Sequence, residues 1–228
     1  MTAHAPEAAG GSLIVHHLVE SRSFRVLWLC EELGIDYQLV SHTRLRGMRA
    51  PAALGELHPL GKAPLIIDAG LVLAESGAIL AYLHDRNNGA LRPAAGTPAR
   101  AIHDELFEFV EGSGMPPLMS TLLGRLTDGF TPVMWSVVQR ERAQALARVE
   151  TALSANDYLC GARLMLADIQ MAYLVAFADG LGLVDRHGGV LRRYLDRLHA
   201  RDAYRRAVVI GGHPVGTMPA RVPGELAG

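Results

Sequence analysis

The sequence predicts two folding units in tandem: a small α/β domain, then an all-α domain. Three observations predict this. The first 42 residues read strand, helix, strand. The stretch Asn87 to Pro98 (NNGALRPAAGTP) is dense in turn formers and reads as a linker. Beyond it the apolar spacing is helical throughout, with no further strand pattern.

The elements follow in order. Ser12 to Leu18 (SLIVHHL) is a short β-branched apolar run of strand length. A polar turn, Val19 to Ser23, leads to a helix over Phe24–Leu33, with Phe24, Val26, Leu27, Trp28 and Leu29 as its apolar face. Arg25, Glu31 and Glu32 form its polar face, and Gly34 stands where a left-handed C-cap is favoured. Tyr37 to His42 alternates like a second strand. Residues 43–61, rich in Arg, Gly and Pro, read as a loop with one helical turn. Strands at Pro64–Asp68 and Leu71–Leu73 flank an Ala69-Gly70 hairpin turn, and a helix covers Glu75–Arg86. Helices are predicted over 99–111, 116–126, 132–153, 166–180, 189–200 and 202–209. The expected boundaries are a disordered tail at 1–11, the α/β domain at 12–86, a linker at 87–98, a helical domain at 99–210 and an extended tail at 211–228.

Composition narrows the functional classes. Half of the 228 residues are hydrophobic and the formal net charge is −1. Nothing electrostatic points to nucleic acid or an anionic membrane surface. No apolar run approaches the roughly 20 residues that span a bilayer, and the start has no basic segment followed by an apolar one, so no secretory signal is read. Cys30 and Cys160 lie far apart in apolar patterns read as helical, as expected for buried free thiols in a reducing compartment. The histidines show no metal-ligand spacing, and no P-loop, GxSxG or dinucleotide fingerprint is present.

Several residues invite chemistry. Ala63-Pro64 precedes a strand, the position a proline tolerates. Glu75-Ser76 opens a helix directly after a strand. Ser76 suits an N-cap, and a helix N-terminus favours anions. Lys62, the only lysine, and His58 flank the proline. Ser21 and Ser23 both lie in the turn before the first helix, and Ser23 is the better cap by position. Read bare, each has a structural alternative: a strand-initiating proline, an ordinary cap, loop residues facing solvent.

Three ordered segments carry a resemblance: SRSFRVLWLCEELGIDY (Ser21–Tyr37), HPLGKAPLI (His58–Ile66) and LAESGAILAYL (Leu73–Leu83). GARLMLADIQMAYLV (Gly161–Val175) and the weaker YLDRLHARDAYRRA (Tyr194–Ala207) extend it. In this order they resemble the glutathione transferase family. The resemblance implies a thioredoxin-like N-terminal domain followed by a helical-bundle domain, in a cytosolic homodimer. It implies glutathione as co-substrate and no metal. Pro64 would be cis, with the Ala63 main chain pairing with the cysteinyl part of glutathione. Ser76 would hold the γ-glutamyl carboxylate, Glu75 the γ-glutamyl ammonium, and Lys62 and His58 would reach the glycyl carboxylate. Ser21 matches the catalytic serine of several classes, a hydrogen-bond donor to the glutathione sulfur. A free thiol with pKa about 8.5 is only a few per cent thiolate at pH 7. A drop of two units needs about 2.7 kcal/mol. No cysteine stands at this turn, which argues against mixed-disulfide chemistry.

In the helix 166–180 the family usually carries Ser or Thr three residues before Asp168. Here that residue is Met165, so a serine there is expected to add about 1 kcal/mol by completing a capping box. The second-substrate pocket is expected to draw walls from the turn after the first strand and the helix around 103–119, with Phe107, Phe109, Met115 and Met119 as candidates. The activity expected is conjugation of glutathione to a small apolar electrophile, in detoxification. A glutathione-dependent lyase, isomerase or peroxidase on the same fold, and a non-catalytic binding protein, are the rivals.

Overall fold

The computed structural model of the chain describes residues 12–45, 49–127, 130–216 and 218. The tail at 1–11, and all of 219–228, fall outside these.

The chain divides into two compact units, residues 1–89 with Asp202–Pro214, and Ala90–Arg201 with Val215–Gly228. The first unit opens with strand β1 (Leu13–Leu18), helix α1 (Phe24–Leu33) and strand β2 (Tyr37–His42). Gly34 ends α1 with φ 64°, the left-handed cap its sequence position calls for. A short helix α2 (Ala53–Leu57) supplies the single turn expected in the loop. Strands β3 (Leu65–Asp68) and β4 (Leu71–Ala74) form the hairpin, and α3 (Ser76–Arg86) follows. Ala69 and Gly70 both take positive φ, 47° and 85°, as a tight primed turn requires. The sheet order is β2-β1-β3-β4, with β1 and β2 parallel and the other pairs antiparallel. This is a thioredoxin-like sheet.

α1 is buried from Phe24 to Cys30. It packs on α3 and on α9 (Asp202–Gly211). The sequence grouped 202–209 with the helical domain. Instead, Tyr204 of α9 lies edge-on against both Phe24 and Trp28, one helical turn apart on α1. Arg206 pairs with Glu31 at 2.7 Å. An amphipathic pattern marks α9 as a helix but does not say which surface receives its apolar face. Arg25, read as polar face, is 1% exposed.

The second unit holds α4 (Pro98–Phe109), a π-helical turn (Val110–Gly114), α5 (Met115–Leu126), α6 (Pro132–Leu153), α7 (Leu166–Gly180) and α8 (Val190–His199). α7 is almost entirely buried, and its first turn shows how a buried helix end is satisfied. The Leu166 N–H donates to the Leu91 carbonyl, and the Ala167 N–H to His103 Nε2 at 3.1 Å. The Asp168 carboxylate takes the N–H of Met165 at 2.8 Å and of Leu159 at 2.9 Å, and the Tyr194 hydroxyl at 2.9 Å. His103 Nδ1 lies 2.8 Å from Asp104, which fixes Nε2 as the acceptor.

Met165 is itself buried, 9% exposed. This reverses the expected benefit of a serine. Loss of a buried methionine costs at least about 2 kcal/mol, against about 1 kcal/mol from a new cap. Met165→Ser is therefore expected to lower stability by about 1 kcal/mol or more. Denaturant unfolding checks this, and a rise in midpoint at unchanged slope refutes it.

Among the expected pocket residues, Phe107 and Met115 are core of this unit, while Phe109 and Met119 are half-buried. Cys30 is a buried free thiol, pushed up to about 12 by burial. Cys160 is also free, but lies in a turn and not in a helix.

Candidate functional site

Strand register brings the predicted residues to one end of the sheet. β1 runs antiparallel to β3 with His16 opposite Leu65, and β3 runs antiparallel to β4 with Leu65 opposite Ala74. The end of β1, the start of β3 and the end of β4 therefore lie side by side. The turn carrying Ser21 follows β1, Ala63-Pro64 leads into β3, and Glu75-Ser76 follows β4. The Ala63–Pro64 peptide is cis. α2 packs at this end, with Leu54 clustered with Leu65 and Ala74 and with Leu57 and Ala63 against them. The loop from α2 to β3 carries His58, half-buried, and Lys62, exposed. His58 Nδ1 accepts the Leu60 N–H at 3.3 Å within that loop.

The start of α3 differs from the sequence reading. Ser76 is not the cap but the first helical residue, buried, and Glu75 occupies the cap position. Glu75 is exposed and holds φ 68°, ψ 116°, a left-sided conformation that a residue with a Cβ adopts at a cost of about 1–3 kcal/mol. The Ser76 hydroxyl accepts a hydrogen bond from Arg25 Nη1 at 2.9 Å. A buried guanidinium thus stands at the positive end of α3, where the helix dipole already favours an anion. Sequence reasoning missed Arg25. The signal was a lone arginine inside the otherwise apolar FRVLWLC.

The two serines are also distributed differently. Ser23 caps nothing with its side chain. Its Oγ accepts the Leu18 N–H at 3.0 Å, reaches the Leu18 carbonyl at 3.0 Å and His17 Nδ1 at 2.9 Å, and sits 2.7 Å from Ser21 Oγ. Ser21 Oγ accepts the Ser23 N–H at 3.2 Å. Ser23 therefore ties the end of β1 to the turn and braces Ser21.

Residues 11–85 match the family described as Glutathione S-transferase, N-terminal domain. Glutathione S-transferase 1 of Saccharomyces cerevisiae is 34% identical over 187 residues, covering 72% of this chain and 80% of the relative. The chain belongs to the glutathione S-transferase family. Glutathione S-transferase 3 of Schizosaccharomyces pombe is 29% identical, with 86% of each chain covered. Among solved structures, a glutathione S-transferase of Actinobacillus pleuropneumoniae superposes with a TM-score of 0.79 at 28% identity, over 87% of this chain and 92% of that one. The match thus extends beyond the thioredoxin-like sheet of this glutathione S-transferase into its helical unit. Among its described residues, no helix is long and apolar enough to cross a membrane, and no cluster of potential metal ligands occurs.

Proposed function

We propose that this transferase binds glutathione at the sheet end described above and conjugates its thiolate to a small apolar electrophile. The observation that carries the reading is the convergence, at one sheet end, of an anion site (the α3 start with buried Arg25), an exposed carboxylate (Glu75) and a buried hydroxyl (Ser21). Glutathione offers the matching groups: a γ-glutamyl carboxylate, an ammonium and a thiol. Ser76 with the first N–H groups of α3 takes the carboxylate, and Glu75 the ammonium. The Ala63 main chain, before Pro64, pairs with the cysteinyl part. Lys62 and His58 lie on the loop from which the glycyl carboxylate is reached. Ser21 donates to the sulfur and favours the thiolate. Catalysis then rests on an ionised nucleophile held beside its electrophile. A cytoplasmic homodimer acting in detoxification is supported by the family resemblance alone.

The test is turnover with glutathione against a panel of aryl and alkyl halides, epoxides and hydroperoxides. Conjugates are expected. Reduction of hydroperoxides alone supports the peroxidase rival, and binding without turnover supports the non-catalytic one. Ser21→Ala is expected to raise the pKa of the bound thiol by about one to two units, the value of one hydrogen bond to a charged group. Affinity should change less than turnover, since the γ-glutamyl contacts lie elsewhere. The pH dependence of thiolate ultraviolet absorbance measures this, and an unmoved profile removes Ser21 from the role.

A further inference from the structure

A buried chain of hydrogen bonds runs inward from Ser21, and proton counting shows that it has two states. His17, fully buried on β1, holds Nε2 at 2.9 Å from the Gly211 carbonyl. A carbonyl only accepts, so Nε2 carries a hydrogen, and neutral His17 presents a bare Nδ1 to Ser23 Oγ. Ser23 Oγ has one hydrogen and two lone pairs. One lone pair is taken by the Leu18 N–H. With His17 neutral, the Ser23 hydrogen turns to His17 Nδ1 or the Leu18 carbonyl, and the second lone pair draws in the Ser21 hydroxyl hydrogen. Ser21 then shows only a lone pair outward, which suits a thiol. With His17 protonated, Nδ1–H fills that second lone pair. Ser21 can no longer donate inward, and its hydroxyl hydrogen is left for the ligand, which suits a thiolate.

We propose that His17 is the positioning residue of the thiol site, turning the Ser21 hydroxyl outward by accepting, through Ser23, the proton that the thiol releases. This rests on the glutathione-binding reading above. The proton inventory balances. The S–H hydrogen passes to Ser21 Oγ, the Ser21 hydrogen to Ser23 Oγ, and the Ser23 hydrogen to His17 Nδ1. The products are a thiolate facing an O–H donor and an imidazolium donating from both nitrogens. Such a chain of aligned donors strengthens its own terminal bond. Burial, with the neighbouring His42, favours neutral His17, and the Gly211 carbonyl opposes them. His17 therefore gives up the proton once the thiolate is consumed.

Its surroundings hold the ring for this task. β2 pairs it with Ser41 and brings His42 near; the turn before α1 presents the Ser23 hydroxyl, and α9 a main-chain carbonyl. Gly211 permits the contact. A Cβ there would stand 2.4 Å from Leu27 Cδ1 and 3.1 Å from His17 Nε2.

The experiment follows His17 and the thiolate together in the full chain. Ring nitrogen NMR near neutral pH is expected to show His17 as the neutral Nε2–H form, becoming imidazolium as glutathione is added. S-methylglutathione, which has no thiol to ionise, should bind and leave it neutral. His17→Gln keeps a donor for Gly211 and loses the Ser23 contact, so the thiolate midpoint by ultraviolet absorbance should rise about one unit, a tenfold change. His17→Asn places an amide near the Nδ1 position and should restore it in part. A His17 that stays neutral while thiolate forms overturns the proposal, as does an unmoved midpoint in a folded His17→Gln. If calorimetry detects uptake of neither glutathione nor its S-methyl derivative, the binding reading fails first and this inference with it.

Discussion

Asp168→Ala is expected to lower the stability of the helical unit by about 3–5 kcal/mol, the largest loss from any single substitution considered. Asp168 is fully buried at the third position of α7. Its Oδ1 accepts the Leu159 N–H and the Tyr194 hydroxyl, and its Oδ2 the Met165 N–H. Alanine strands three buried donors, each costing about 1–3 kcal/mol, partly recovered by relaxation. Asp168→Asn should cost about 1–3 kcal/mol, since its NH2 faces a donor. The charge adds a pH dependence. Burial pushes the carboxyl up to about 6, opposed by its three donors and by Arg201. The folded value lies above the unfolded one, so the folded state binds more protons between them. This group's contribution is greatest at low pH and falls as pH rises through about 6, by about 3 kcal/mol in all. His103 acts oppositely: burial lowers its pKa, so its contribution is lost as pH falls through its unfolded value. The difference between parent and Asp168→Asn, in the same buffers, cancels His103. That difference should shrink as pH rises from about 4 to about 7 and stay level above that. A constant difference would show that Asp168 keeps one ionisation state throughout.

Much of the fold was legible because local signals agreed with tertiary packing. α1 begins at Phe24 and stops before Gly34, where apolar periodicity and a glycine cap coincide. The hairpin turn at Ala69-Gly70 was readable for the same reason. Positions at the sheet end were legible through their place after β1, before β3 and after β4. What stayed hidden is pairwise. Ser23 has the position of a cap, yet its hydroxyl finds better partners in Leu18 and His17. Arg25 matches a polar face in spacing, yet it is buried, and its guanidinium turns to Ser76. Met165 lacks a cap side chain, and its burial compensates. No periodicity rule reports which neighbour a side chain will meet.

Glu75 separates stability from binding more sharply than any other residue of the site. Its carboxylate is exposed at the start of α3, and its backbone sits at φ 68°. Glu75→Ala should leave stability near that of the parent, since alanine meets the same backbone cost. Glutathione affinity should fall about 10- to 150-fold, the loss of one charge-assisted contact of about 1.5–3 kcal/mol. Glu75→Gly should lose the same affinity. Its folded backbone is unstrained, while the unfolded chain gains freedom worth about 0.4–1 kcal/mol. Relief of about 1–3 kcal/mol equals or exceeds that, so stability should match the parent or exceed it by up to about 2–3 kcal/mol. Glu75→Gln keeps an acceptor without charge and should fall between parent and alanine in affinity. Calorimetric titration with glutathione, paired with urea unfolding of each variant, reads both quantities. If Glu75→Gly unfolds more easily than Glu75→Ala, the backbone conformation at this position carries no strain. If all three variants bind as tightly as the parent, the ammonium of glutathione sits elsewhere. The combination expected here, weaker binding with equal or greater stability, is what a strained functional residue produces and an ordinary cap does not.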